Sequence, residues 1–218
     1  MKTLFVTGTG TEVGKTYLAA LIAQQLHAQG RRVGVYKPVA SGCPGGRSED
    51  AERLWNAAGR PLTLDQVCPL RFTAPLAPHL AARAENTTYT PEQLIAGVEP
   101  WRSACDVLLV EGAGGLMSPL ADGDFYNADL ADALGGALVV VAANRLGVIH
   151  DTLATLLAAS CHCRNSRVAG VILNSLSPES DQSVATNSKE LRARCGVPLL
   201  AEVGWQAGAV PVDWVDPL

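Results

Sequence analysis

A lysine and a threonine, Lys15-Thr16, close a run rich in glycine and hydroxyl residues: Val6-Thr7-Gly8-Thr9-Gly10-Thr11-Glu12-Val13-Gly14-Lys15-Thr16. Glycines let a backbone curl until successive N–H groups point at one anion. A lysine at the end of the curl adds a point charge, and a hydroxyl in the first turn of a following helix can ligate a divalent cation. The run therefore reads as a nucleotide phosphate loop. Its spacing is a variant one, because the glycine of the strict pattern falls on Thr9, with Gly8 and Gly10 on either side. A plain Gly/Thr turn gives no reason for Lys-Thr at the first helical positions.

Other chemistry-bearing residues follow apolar runs in the same way. Lys37 ends Gly34-Val35-Tyr36 and begins Lys37-Pro38-Val39-Ala40-Ser41-Gly42. From a strand end beside the phosphate loop it can reach a terminal phosphate as a second cation, with the Ser41 hydroxyl in the same cavity; a surface lysine is the competing reading. Glu111 ends Val107-Leu108-Leu109-Val110 and opens Gly112-Ala113-Gly114-Gly115, the form of a Walker B acid. A hard cation such as Mg²⁺ takes carboxylate and hydroxyl oxygens, which makes Thr16 and Glu111 natural partners. Asp50 is a third oxygen donor, although Ser48 as a helix cap and Asp50 beside a helix N-terminus explain that segment equally well. Asn174 ends Val171-Ile172-Leu173, where a side-chain amide matches the donor and acceptor of an adenine edge. Arg145-Leu146-Gly147-Val148-Ile149-His150 leads into the helix of Leu153, Leu156 and Leu157, with exposed N–H groups that suit a carboxylate, although ordinary helix entry explains Gly147 almost as well.

The elements that carry these residues alternate. Strands are predicted at residues 4–6, 32–36, 107–110, 137–142, 168–173 and 198–203. Helices are predicted at 17–29, 50–58, 91–98, 128–134, 152–160 and 182–194, several closed by Gly30, Gly135 or Gly196. Alternation of this kind implies an α/β fold, a parallel sheet with helices on both faces, whose ligand loops lie at the carboxyl ends of the strands. Residues 61–78 are the least regular stretch, and 204–218 reads as an irregular tail. With 218 residues, 48% hydrophobic and 17% charged, the chain is expected to form one domain spanning 1–218. A net charge of −4 with scattered basic residues argues against nucleic acid as a partner, and no run has the length to cross a bilayer. Because residues 4–6 are needed as a strand, a cleaved leader is not expected, and a cytoplasmic protein with six free thiols is.

Taken together, the motifs from Val6 to Trp205 resemble those of the dethiobiotin synthetases, P-loop enzymes that close a cyclic urea on 7,8-diaminopelargonate with CO2 and ATP. The matching segments are the 6–16 loop, Tyr36-Lys37-Pro38-Val39-Ala40-Ser41-Gly42, Pro75-Leu76-Ala77-Pro78-His79, Glu111-Gly112-Ala113-Gly114-Gly115, Leu146-Gly147 and Asn174. The resemblance implies that Thr16, Asp50 and Glu111 arrange Mg²⁺. It implies that Glu12, Val13, Gly14, Lys15, Thr16 and Tyr17, with Asp50, Glu111, Gly112, Ala113 and Gly114, hold ATP, while Asn174 and the Val203-Gly204-Trp205 turn face adenine. Lys15 and Lys37 would be the catalytic cations, with Lys37 beside the carbamate and γ-phosphate, and Thr11 and Ser41 would touch the substrate. A homodimer is implied too, Leu146 and Gly147 of one subunit completing the diamine site of the other. The chain departs from the family pattern at Gly10, where many members have Asp, and at His150-Asp151, where they have an Asn-His pair. Two other readings suit the phosphate loop: an amide ligase of the cobyrinate-diamide type, which needs a glutaminase domain this length does not hold, and a dimerising switch ATPase of the Min and Par type, which carries an early loop lysine absent here.

Overall fold

Lys37 and Glu111 become neighbours because two predicted strands lie side by side in register. In the computed structural model, which describes residues 1–179 and 181–218, β1 (Lys2–Gly8), β2 (Val33–Tyr36), β5 (Val107–Glu111), β8 (Ala137–Ala143), β9 (Arg167–Asn174) and β10 (Leu199–Val203) form one parallel sheet. Their order is β10-β9-β8-β1-β5-β2. Tyr36 pairs with Val110, so the next residues along, Lys37 just past the end of β2 and Glu111 as the last residue of β5, come side by side. Val6 pairs with Glu111 on the other side of β5, which brings the acid beside the start of the phosphate loop.

Every residue of β5 and β8 is buried. Since strand side chains alternate between faces, that is possible only where helices cover both sides, as the continuous apolar runs predict. The helices are α1 (Lys15–Ala28), α2 (Glu49–Ala57), α3 (Leu64–Val67), α4 (Pro78–Ala84), α5 (Pro91–Ala96), α6 (Trp101–Ala104), α7 (Asn127–Leu134), α8 (Val148–His162) and α9 (Val184–Arg194). Helix α8 starts earlier than its apolar periodicity indicates, because Gly147, at φ 97°, turns the chain into it. Gly135 caps α7 in the left-handed conformation, as expected.

Two stretches read as irregular are more ordered than that. Within 61–78, Thr63 and Gln66 close α3 with a reciprocal capping box, and β3 (Val39–Ala40) pairs in parallel with β4 (Leu70–Arg71). A second small ladder joins β6 (Pro119–Ala121) to β7 (Phe125–Tyr126). The tail is irregular but not loose: Val210, Val212 and Val215 are buried, and Lys2 Nζ donates to the Val215 carbonyl at 3.2 Å. All six cysteines are free thiols.

Gly34 shows how tightly β2 is seated. A Cβ there would lie 2.7 Å from both Cys105 Sγ and Trp101 Cε3. Gly34→Ala is expected to destabilise the protein by about 1–3 kcal/mol through overpacking, seen as a lower urea midpoint at unchanged m-value. A midpoint equal to the parent's would show that the neighbours yield freely.

Candidate active site

The phosphate loop is shaped by where its glycines sit. Gly14 has φ 91°, and a Cβ there would come within 2.2 Å of Asn174 Nδ2. That amide nitrogen donates to the Val13 carbonyl at 3.0 Å. Asn174, expected to face adenine, therefore also props the loop from the end of β9. Val203 pairs with it in the sheet, Gly204 and Trp205 follow as an exposed turn, and the Asn174 Oδ1 is buried without a hydrogen-bond partner among the described residues.

Lys15 is buried despite its place at the end of a glycine-rich loop, only 8% exposed. The first turn of α1 draws it inward, where its Nζ donates to the Gly10 carbonyl at 2.8 Å. Burial lowers its pKa, partly countered by Glu111, while Lys37 lowers it further.

Lys37 is no surface lysine. It is 5% exposed, its Nζ lies 2.6 Å from Glu111 Oε1 and 3.0 Å from Asp50 Oδ2, and Glu111 is 2% exposed. Thr16 Oγ1 donates to the same Glu111 Oε1 at 2.7 Å. The three oxygen-bearing residues singled out in the sequence thus converge on one point, held together by the fourth. Burial works against the Lys37 charge, yet Glu111 and Asp50 more than offset it and hold its pKa above the ordinary lysine value. Partial burial works against the Asp50 carboxylate in turn, and the Lys37 ammonium overrides this and holds its pKa below the usual range. The cap expected at Ser48 is present, and Asp50 faces the cluster as well. Ser48 Oγ accepts from Ala51 N at 3.3 Å and caps α2, and the cap aims Asp50 from the first turn at Lys37.

These groups line a cavity of about 900 Å³ that also takes in Thr11, Ser41 and the Gly112-Ala113-Gly114 turn. The turn is held by Asn127, a fully buried residue that sequence reasoning missed. Its Nδ2 donates to the Ala113 and Gly115 carbonyls at 2.7 and 2.9 Å, and its Oδ1 accepts from Ala113 N at 3.1 Å. The sequence offers as a signal only a polar residue immediately before the helix predicted at 128–134. Tyr17 is covered by the Arg53 guanidinium, 5.3 Å from its ring centroid, and its hydroxyl donates to the Ala207 carbonyl in the tail. A second cavity of about 350 Å³ shares Thr11 and is bounded by Gly10, Met117, His150 and Asp151. Leu146, 76% exposed, stands apart from both cavities, and Gly147 meets open space.

For a metal, the donor set fits. Glu111 Oε2 is buried with no hydrogen-bond partner among the described residues, and a buried anionic oxygen in that state is satisfied by a cation. Thr16, Asp50 and Glu111 present the hard oxygens that Mg²⁺ takes.

A buried ion pair is costly to break from one side. Lys37→Met leaves Glu111 charged and without its ammonium partner, an expected loss of about 3–5 kcal/mol, and adding Glu111→Gln recovers most of it. The folded Lys37 pKa is raised, so its contribution is full below 10.5 and fades as the pH climbs through the folded value. The Asp50 contribution, from a lowered pKa, is present above 3.8 and lost on acidification. Urea melts of parent and Lys37→Met should therefore differ by a constant amount between about pH 6 and pH 9. A gap that varies across this range would contradict the pairing.

Comparison with known proteins bears on what this site does. The AAA domain family model matches residues 2–212. The ATP-dependent dethiobiotin synthetase BioD of Rhodopirellula baltica is 45% identical, the match covering 95% of this chain and 86% of that protein. The protein of the same name from Bacillus subtilis is 36% identical, with 92% and 86% covered. Among solved structures, the MinC:MinD cell division protein complex of Aquifex aeolicus superposes with a TM-score of 0.53 at 17% identity, covering 92% of this chain and 80% of that one. That likeness shows the P-loop fold alone. At these identities over more than nine-tenths of its length, the chain belongs to the dethiobiotin synthetase family.

Proposed function

We propose that the site performs ATP-dependent dethiobiotin synthesis by bringing two anions together between buried cations. What supports this reading most is the convergence of Lys37, Glu111, Asp50 and Thr16 beside a phosphate loop, in a chain so similar to the synthetases. An amine of 7,8-diaminopelargonate takes up CO2 as a carbamate. A carbamate oxygen attacks the γ-phosphorus of ATP and ADP departs, leaving a carbamic-phosphoric anhydride. The second amine then attacks the carbonyl carbon, closes the cyclic urea and expels phosphate.

The protein's task is positioning and charge. Backbone N–H groups from Glu12 to Tyr17 hold the phosphates, Lys15 turns from the Gly10 carbonyl to the bridging and γ oxygens, and Lys37 stands between γ-phosphate and carbamate. Thr11 and Ser41 hold the diamine, with Thr11 facing both cavities. Thr16, Asp50 and Glu111 would hold Mg²⁺, which when bound neutralises phosphate oxygens. Asn174 offers its unpartnered Oδ1 to the adenine amino group, and Val203, Gly204 and Trp205 cover the base. The exposed Leu146 and Leu157, with Gly147, are the surface of a homodimer in which a partner subunit completes the diamine site. The chain acts as a single domain in the cytoplasm. Among the described residues no helix is long and apolar enough to cross a membrane.

Lys15→Ala is expected to cut turnover by about 10²-fold or more, since it removes a charge that matters most in the transition state. Glu111→Gln should shift the Mg²⁺ titration of activity upward. Steady-state ADP release reads both, and near-parental rates in a folded Lys15→Ala protein would contradict the loop assignment. Lys37→Gln should separate binding from chemistry: calorimetry should find ADP bound with close to parental affinity, while mass spectrometry finds little dethiobiotin. Parental product formation by this variant would remove Lys37 from the transfer, and a parent making no dethiobiotin from diamine, bicarbonate and ATP would overturn the function itself.

A further inference from the structure

The Lys37 ammonium sits where a divalent cation would have to sit. It touches Glu111 Oε1 at 2.6 Å and Asp50 Oδ2 at 3.0 Å, and the Thr16 hydroxyl is bonded to that same Glu111 oxygen. Lys15, the other buried cation nearby, is bonded to a backbone carbonyl instead. The Lys37 main chain is fixed, because its N–H donates to the Val67 carbonyl at 2.7 Å, and only the four-carbon stem is free to move.

We propose that Lys37 is a placeholder that the metal displaces: magnesium takes over Glu111 and Asp50, and the ammonium, expelled by the arriving charge, swings into the cavity toward the terminal phosphate and carbamate. This rests on the metal reading above and adds a sequence to it. An ammonium and a divalent cation cannot share two carboxylates at contact distance without strong repulsion. Without metal, the ammonium offsets part of the charge of the two acids and the lysine is withdrawn from the reacting atoms. With metal, the lysine loses its partners at the moment its charge is needed. The Thr16 hydroxyl needs no such exchange, since it can donate to Glu111 while offering a lone pair to the ion. The arrangement makes the metal a condition for positioning Lys37, so nucleotide bound without metal leaves the transfer centre incomplete.

The test uses Mn²⁺ alone as probe, with free ion followed by electron paramagnetic resonance in nucleotide-free protein. Lys37→Gln should bind Mn²⁺ tighter than the parent by about tenfold or more, whereas Lys15→Gln, which removes a charge with no contact to the carboxylates, should gain no more than about threefold. Equal gains in the two variants, or none in Lys37→Gln, would overturn the placeholder and leave only a general electrostatic effect. Glu111→Gln should abolish the tight site, and indifference to this change would sink the metal reading and the proposal with it. A second measurement avoids the risk that Lys37→Gln folds poorly. In the parent, Lys37 should be protected from acetic anhydride without metal and modified at saturating Mg²⁺, as mapped by peptide mass spectrometry. Protection that persists when Mg²⁺ is bound would refute the displacement.

Discussion

A buried ammonium needs partners, and this need organises the structure. Lys37 is held by Glu111 and Asp50 in a place where little water reaches it, so the strands that deliver lysine and glutamate must end level with each other. The pairing of Tyr36 with Val110 arranges this, and the pairing of Val6 with Glu111 sets the phosphate loop against the same acid. A shift of β2 by a single residue would turn Lys37 to the other face of the sheet and leave two carboxylates unpaired. The seating of β2 against Trp101 and Cys105, and of the Lys37 N–H against Val67, serves that register.

Around this pair, the loops are rigid because other residues brace them from behind. Asn174 reaches from β9 to the loop carbonyl of Val13 and leaves no room for a side chain at Gly14. Asn127 does the same for the turn after β5, where a Cβ on Gly112 would lie 2.5 Å from its Oδ1. The glycines of both loops therefore answer to two demands, backbone N–H groups open to an anion on one side and a buried amide pressed against the other. Arg53 over Tyr17, with Tyr17 bonded to the tail at Ala207, extends the bracing to the C-terminal segment.

Most of this was legible in the sequence where a residue's type and its place at a strand end carry the same message. The six strands, the parallel fold and the cluster of Lys37, Glu111, Asp50 and Thr16 were all accessible, since Lys37 and Glu111 end buried apolar strand runs while Thr16 and Asp50 stand in the first turns of helices. What escaped depends on distant packing. Nothing local distinguishes Asn127 from a helix-cap residue, because its partners lie at Ala113 and Gly115. The burial of Lys15 could not be read from a glycine-rich loop, and the order within residues 61–78 rests on a capping box and a two-residue ladder too short to show periodicity. The tail looked irregular, and its valines are nonetheless part of the core.

Two buried cations, one on the phosphate loop and one on the neighbouring strand end, make chemical sense if one anion must be driven onto another. In the reaction proposed above those anions are a carbamate and the γ-phosphate of ATP. The most direct test of that account is the fate of oxygen. With ¹⁸O-labelled bicarbonate, 7,8-diaminopelargonate and ATP, mixed and quenched before the label exchanges with water, attack by a carbamate oxygen on phosphorus must carry one labelled oxygen into each phosphate released. Mass spectrometry of the phosphate should find that single label in step with dethiobiotin formed. Dethiobiotin accompanied by unlabelled phosphate would contradict the account at its centre.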